Sequence, residues 1–307
     1  MLRLLRFITL LTVVAGAGSL AKADVEAGKA ITIRDDLGRD VVLRSPAMRI
    51  AAASPGAVDV LLSIGVRPVT RPWLPGRTPD SWEGIPTIGL DHASGPNLEQ
   101  LVAARPDLVV IDLTSARFVE RIERLVGAPV YCLQVSDIEG LPDRLRELGT
   151  LSGQETEADD QAVRTQNVID KLRDEHRSGS PTRVIALFGG PRTGYAFTPK
   201  SYVASLLELV GAEMVLAGGE PHGMFPELSR YSAEQVWASD PDAIVILSHG
   251  AVHDRLPQLQ ADPVWSGLRA VREGRVQTLS DDLFVMRPGA DFLDAIAALR
   301  AALDLQD

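Results

Sequence analysis

The sequence predicts an α/β protein of two lobes with parallel sheets, joined by one long bridging helix, with a ligand cleft between the lobes. Three observations lead there. Residues 96–111 read PNLEQLVAARPDLVVI and residues 231–246 read YSAEQVWASDPDAIVI, one pattern written twice at a constant offset. The copies share Glu99/Glu234, Gln100/Gln235, Ala103/Ala238, Pro106/Pro241, Asp107/Asp242, Val110/Val245 and Ile111/Ile246. Elsewhere, short apolar runs alternate with segments of helical spacing, as in a parallel sheet covered by helices. Between the copies lies TEADDQAVRTQNVIDKLRDEH (156–176), which contains neither Gly nor Pro.

In chain order, residues 1–23 read as a cleavable secretory signal. Arg3 and Arg6 precede an apolar run from Phe7 to Leu20, and Ala21-Lys22-Ala23 offers a small-x-small cleavage site. The run is too short, and too soon broken by Gly16 and Gly18, to span a membrane. No cysteine stands directly after it, so no lipid anchor is expected. The expected units are then lobe 24–151, bridge 152–178 and lobe 179–307.

ITIRDDLGRDVVL (31–43) alternates around a Gly-containing turn and reads as a β-hairpin. RIAAAS (49–54) is a strand, and Pro55 opens a helix that Gly65 stops after Ile64. A short strand in RPVTRPW and a Pro- and Gly-rich loop lead to the first repeat. Asn97 suits an N-cap, Gln100 stands three residues on, and the helix must end before Pro106. LVVI is then a buried strand. Helix 115–126, strand 129–135 and helix 141–151 complete the lobe. In the bridge, Ala158, Ala162, Val163, Ile169 and Leu172 form a thin apolar stripe. About 20 residues at roughly 1.5 Å each span on the order of 30 Å, the width of a small domain. RVIALFGG (183–190) opens the second lobe. Helix 202–210, the second repeat with Ser232 as cap, strand 276–279 and helix 290–305 follow.

The chain has 307 residues and a formal net charge of −10, which loss of the basic signal makes more negative. An acidic chain without a basic run is a poor nucleic-acid binder. Cys132 is the only cysteine and sits in PVYCLQV, which excludes an intrachain disulfide and predicts a buried thiol.

RIAAASPGAVDVLLSIGVRPV, the two repeats, the bridge and MRPGADFLDAI together resemble the periplasmic substrate-binding proteins of ABC importers for iron chelates, haem and vitamin B12. The resemblance runs from about Ile31 to about Ala302. It implies two lobes with the ligand between them, and a monomer that binds a small-molecule metal chelate without an intrinsic cofactor. The expected cargo is an iron-siderophore, with haem or cobalamin next. The implied partner is an inner-membrane permease dimer with its cytoplasmic ATPase. In such proteins one surface Glu per lobe docks on arginine pockets of the twofold permease, a role that falls here to Glu99 and Glu234. On the residues alone, a Glu in a helix's first turn also simply suits the helix dipole. The chain departs from the family pattern with Asp59 where many relatives carry Glu, and LVGAEMVL lacks the usual Gly-Gly-Glu-Asn.

Cleft residues are sought at the carboxyl ends of strands. The candidates are Arg71, Trp73, Asp91, His92, Tyr195, His222, Phe225, His249, His253 and Arg287. Trp73 and Phe225 offer an apolar wall, or else core packing. Arg71 and Arg287 suit ligand carboxylates, or else surface ion pairs. His92 stands near the place where haem-binding relatives carry an iron-ligating tyrosine, and a neutral ring nitrogen can ligate haem iron; the plainer reading is a solvated loop histidine. The alternative from another class is a metal-dependent hydrolase using His92, His222, His249 and His253 with Asp91 or Asp254. GGPRTG (189–194) only mimics a phosphate loop, since Tyr195 and Ala196 replace Lys and Ser/Thr. A structural or adhesive role is a third possibility, and it predicts no saturable small ligand.

Overall fold

The expected hairpin is present: Ile31–Arg34 (β1) and Asp40–Leu43 (β2) pair antiparallel. Asp35 fixes its turn by accepting from the Leu37 and Arg39 N–H groups and from the Arg39 guanidinium. A computed structural model describes residues 30–304 apart from 75–77, 92, 178, 190–194, 217, 218, 220, 224, 250 and 251. The expected signal segment, His92 and most of GGPRTG therefore lie outside the described residues. Among the described residues no helix is long and apolar enough to cross a membrane.

The first lobe continues through Ile50–Ala52 (β3), Pro55–Ser63 (α1), the two-residue strands Arg71–Pro72 (β4), Thr87–Ile88 (β5), Leu90–Asp91 (β6) and Gly95–Pro96 (β7), then Leu98–Ala104 (α2), Leu108–Ile111 (β8), Val119–Val126 (α3), Val130–Cys132 (β9) and Leu141–Ser152 (α4). The strands β3, β8 and β9 form a parallel sheet in that order, and all their residues are buried. Helix 115–126 of the sequence reading is divided into a 3-10 turn, Leu113–Phe118, and α3. Burial pushes the Cys132 thiol far up, so it stays protonated and inert.

The bridge is the single helix Glu155–Glu175 (α5). It packs closely on α4, where a Cβ on Gly149 would stand 2.3 Å from that of Ala158. The second lobe comprises Thr182–Phe188 (β10), Tyr195–Phe197 (β11), Tyr202–Leu209 (α6), Ala212–Met214 (β12), Pro221–His222 (β13), Phe225–Arg230 (β14), Ala233–Ser239 (α7), Ala243–Ser248 (β15), Leu256–Gln260 (α8), Arg269–Arg272 (α9), Val276–Ser280 (β16) and Phe292–Ala302 (α10). Its sheet is parallel only across β12-β10-β15-β16; β11, β14 and β13 join antiparallel. The reason is chain length. Residues 189–194 alone join β10 to β11, and a parallel crossover needs about a dozen residues or more.

The repeated sentence has a structural meaning. Asn97 and Ser232 cap α2 and α7, each accepting from the N–H three residues on. In the second copy Gln235 accepts from the Ser232 N–H and completes a capping box, whereas Gln100 is drawn off to the Gly89 N–H at 2.8 Å. Each helix ends on a left-handed residue, Arg105 or Asp240, just before the shared proline. Asp107 then accepts from the Met48 and Arg49 N–H groups, and Asp242 from that of Arg183. Arg49 and Arg183 complete the pattern by donating to the last carbonyls of α2 and α7, Ala104 and Ser239. The Pro-Asp corner thus fastens each helix to the start of the neighbouring parallel strand.

Two of three apolar clusters lie within single lobes, one per lobe. The third is shared: Val58, Leu61 and Leu148 connect through Ala158, Ala162 and Ile169 of α5 to Leu206, Phe292 and Ile296. The lobes are therefore joined by a common core as well as by the bridge. Opening them widely would expose apolar surface at roughly 25 cal/mol per Å².

Candidate functional site

The residues that follow the parallel strands converge on one cavity between the lobes, of about 560 Å³. Ser54 follows β3, Asp112 follows β8, Gln134 comes soon after β9, His249 follows β15 and Asp281 follows β16, and all five line it. This is the carboxyl-end location expected for ligands of α/β sheets. The size falls in the range of roughly 300–1,000 Å³ usual for drug-sized ligands.

Its walls are mainly apolar. Phe188 and Phe197 meet edge to face with centroids 6.1 Å apart, and both line the space. Phe225 lines it too and is stacked from behind on His222 at 5.9 Å, which in turn meets Tyr195 edge-on at 5.1 Å. Trp73, 62% exposed, faces them from the first lobe together with Leu113 and Leu133. Met286 and Val285, in the π-turn Asp282–Met286, also contribute apolar surface.

Four carboxylates share this lining. Asp91 accepts from the Ala93 and Ser94 N–H groups and the Ser94 hydroxyl, each at 2.9 Å. Asp112 accepts from the Thr114 N–H at 3.0 Å and its hydroxyl at 2.5 Å. Asp281 pairs with Nδ1 of His249 at 3.0 Å. Burial raises the carboxyl of Asp281, with His249 opposing it. Burial also raises Glu227, and the like charge of Asp112 on the other lobe adds to this. The described lining residues include no lysine or arginine.

Of the sequence candidates, Trp73, Asp91, Phe225 and His249 line the cavity. Tyr195 and His222 form the aromatic layer behind Phe225. His253 is exposed and Arg71 lies off the wall, its guanidinium 5.8 Å from the Trp82 ring centroid. Arg287, expected to meet ligand carboxylates, does not reach the lining. It is 5% exposed and fully engaged by Asp59, Asp282 and Asp291. His92 lies outside the described residues. Among the described residues no three potential metal ligands gather, so they supply no centre for the hydrolase alternative.

Asp112, Gln134, Phe188 and Asp281 were missed, though each stands at or just beyond the carboxyl end of an apolar strand. Applying the strand-end rule to every strand finds them. Glu227, Pro226 and Phe197 carry no such signal, because they belong to the antiparallel part of the sheet.

Glu99 and Glu234 occupy the same place in the first turns of α2 and α7, and both are exposed. Backbone and Ser232 hydrogen bonds hold the Glu234 carboxyl below its ordinary range. One turn on, Val102 and Trp237 are exposed apolar residues.

Known proteins resemble this arrangement. A vitamin B12-binding protein of Salmonella choleraesuis is 29% identical over 202 residues, covering 65% of this chain and 72% of that protein. Staphylococcus aureus IsdE complexed with heme superposes with a TM-score of 0.69 at 19% identity, over 83% of this chain and 98% of the other. The siderophore-binding protein BauB, bound to acinetobactin and ferric iron, gives a TM-score of 0.70 at 16% identity, over 91% of this chain and 100% of the other. The periplasmic binding protein model matches residues 50–283, and the chain belongs to that family.

Proposed function

We propose that this protein is the substrate-binding component of an ABC importer, capturing a metal chelate in the cleft and delivering it to an inner-membrane permease driven by a cytoplasmic ATPase. An iron-siderophore is the foremost cargo, with haem or cobalamin next. The observation that carries this reading is the aromatic-walled cavity at the carboxyl ends of both sheets, in a chain of the periplasmic binding protein family. The names of its relatives, for vitamin B12, heme and a ferric siderophore, support the cargo class. In this reading residues 1–23 export the chain, no lipid anchors it, and it works as a periplasmic monomer. Glu99 and Glu234 dock on the permease.

Trp73 supplies the assay. A bound ferric or cobalt chelate should quench tryptophan fluorescence saturably, and the amplitude should fall in Trp73→Phe, which keeps the other three tryptophans. The same chelate at about 100 times Kd should stabilise the protein by about 2.7 kcal/mol, a rise of several degrees in melting temperature. If siderophores, haem and cobalamin all leave both signals unchanged, the carrier reading fails.

A further inference from the structure

The charge of the cavity goes beyond its shape. Asp91, Asp112, Glu227 and Asp281 line it, His249 is its only described basic group, and that ring is already paired with Asp281. A polyanion entering this space would lose its hydration and meet these four carboxylates, with no arginine among the described lining residues to replace that hydration. The aromatic faces act in the same direction. Phe188, Phe197, Phe225 and Trp73 line the cavity as well, and the faces of aromatic rings attract cations.

We propose, resting on the carrier reading, that the cleft selects its cargo by charge: it takes cationic or neutral chelates rich in hydrogen-bond donors and rejects polyanionic ones. The selecting contact is the pair Asp112 and Glu227, which line the cavity from opposite lobes. Burial raises the carboxyl of Glu227 and the like charge of Asp112 adds to it, and a positive group entering the space offsets both costs. The cavity itself is the site; the carboxylates set its sign.

The test is a charge series of ferric chelates. Ferrioxamine B carries a free ammonium, ferrioxamine E is neutral, and ferric enterobactin is a trianion. Equilibrium dialysis with iron detection should show both ferrioxamines binding at least about tenfold more tightly than ferric enterobactin, with the cationic form favoured. Glu227→Gln keeps the shape and removes one charge. It should weaken ferrioxamine B by about tenfold, leave ferrioxamine E within about twofold and narrow the gap to ferric enterobactin. Circular dichroism and melting temperature establish that the variant is folded. Tight binding of ferric enterobactin by the wild type overturns charge selection and leaves the carrier reading intact. An unchanged charge ranking in folded Glu227→Gln overturns the role of the pair. No binding by any member of the series overturns charge selection and counts against siderophore cargo as well.

Discussion

Replacing Arg287 with alanine is expected to lower the melting temperature by on the order of 10 °C. The guanidinium lies between the lobes. Its Nη1 bonds Asp59 of α1 at 2.5 Å and Asp291 at 2.7 Å, while Nε and Nη2 form a fork on Asp282 at 3.0 and 2.9 Å. Asp59 uses its other oxygen to accept from the indole N–H of the fully buried Trp82 at 2.5 Å. The guanidinium also stands 5.9 Å from the Trp82 ring centroid. Removing it leaves Asp59 buried with its charge unmatched, which costs roughly 3–5 kcal/mol. For a chain of this size each kcal/mol is worth about 2–4 °C. Replacing Asp59 as well, Asp59→Leu with Arg287→Met, should recover only part of the loss: it removes the unmatched buried charge but leaves the Trp82 N–H without an acceptor and Asp282 and Asp291 without their guanidinium. Thermal unfolding of the two variants checks this. An Arg287→Ala protein that melts with the wild type would show that the cluster holds nothing.

If Glu99 and Glu234 dock on the permease as proposed, reversing both charges, Glu99→Arg with Glu234→Arg, should reduce uptake by roughly two orders of magnitude while chelate affinity stays within about twofold. The physical argument rests on symmetry. A twofold partner needs one anion presented twice in equivalent surroundings, and carboxylate–arginine pairs are directional. Here the surroundings are equivalent to the level of the N-cap, the left-handed helix end, the Pro-Asp corner and the arginine on the last helical carbonyl. Each single reversal should lose part of the uptake. Uptake in cells lacking the wild-type gene, alongside dialysis of the purified variants, separates the two effects. Lost chelate binding in either variant contradicts the docking role.

The two-lobe layout was legible because local rules agreed. Caps at Asn97 and Ser232, prolines at 106 and 241, and fully apolar strands all pointed to the same units. The antiparallel part of the second sheet was less legible, since β11 and β13 are only three and two residues long. Arg287 illustrates the limit best. Its place in MRPG, after an apolar strand, suggested a loop residue facing ligand, and two of its partners are near in sequence. Its third partner, Asp59, is 228 positions away, and only packing of the lobes brings them together. Glu227 was hidden for a related reason: FPELSR does not show which face meets the opposite lobe. His222 and Tyr195 were placed in the right neighbourhood but one layer too far forward, because ring stacking is not written in spacing.

The most direct measurement is a crystal structure with a saturating ferric chelate, the iron located by its anomalous scattering. The carrier reading predicts one strong peak between the wall of Trp73, Leu113 and Gln134 and the wall of Phe188, Phe225 and Val285. A peak on the outer surface, or none with the chelate at saturation, would contradict it.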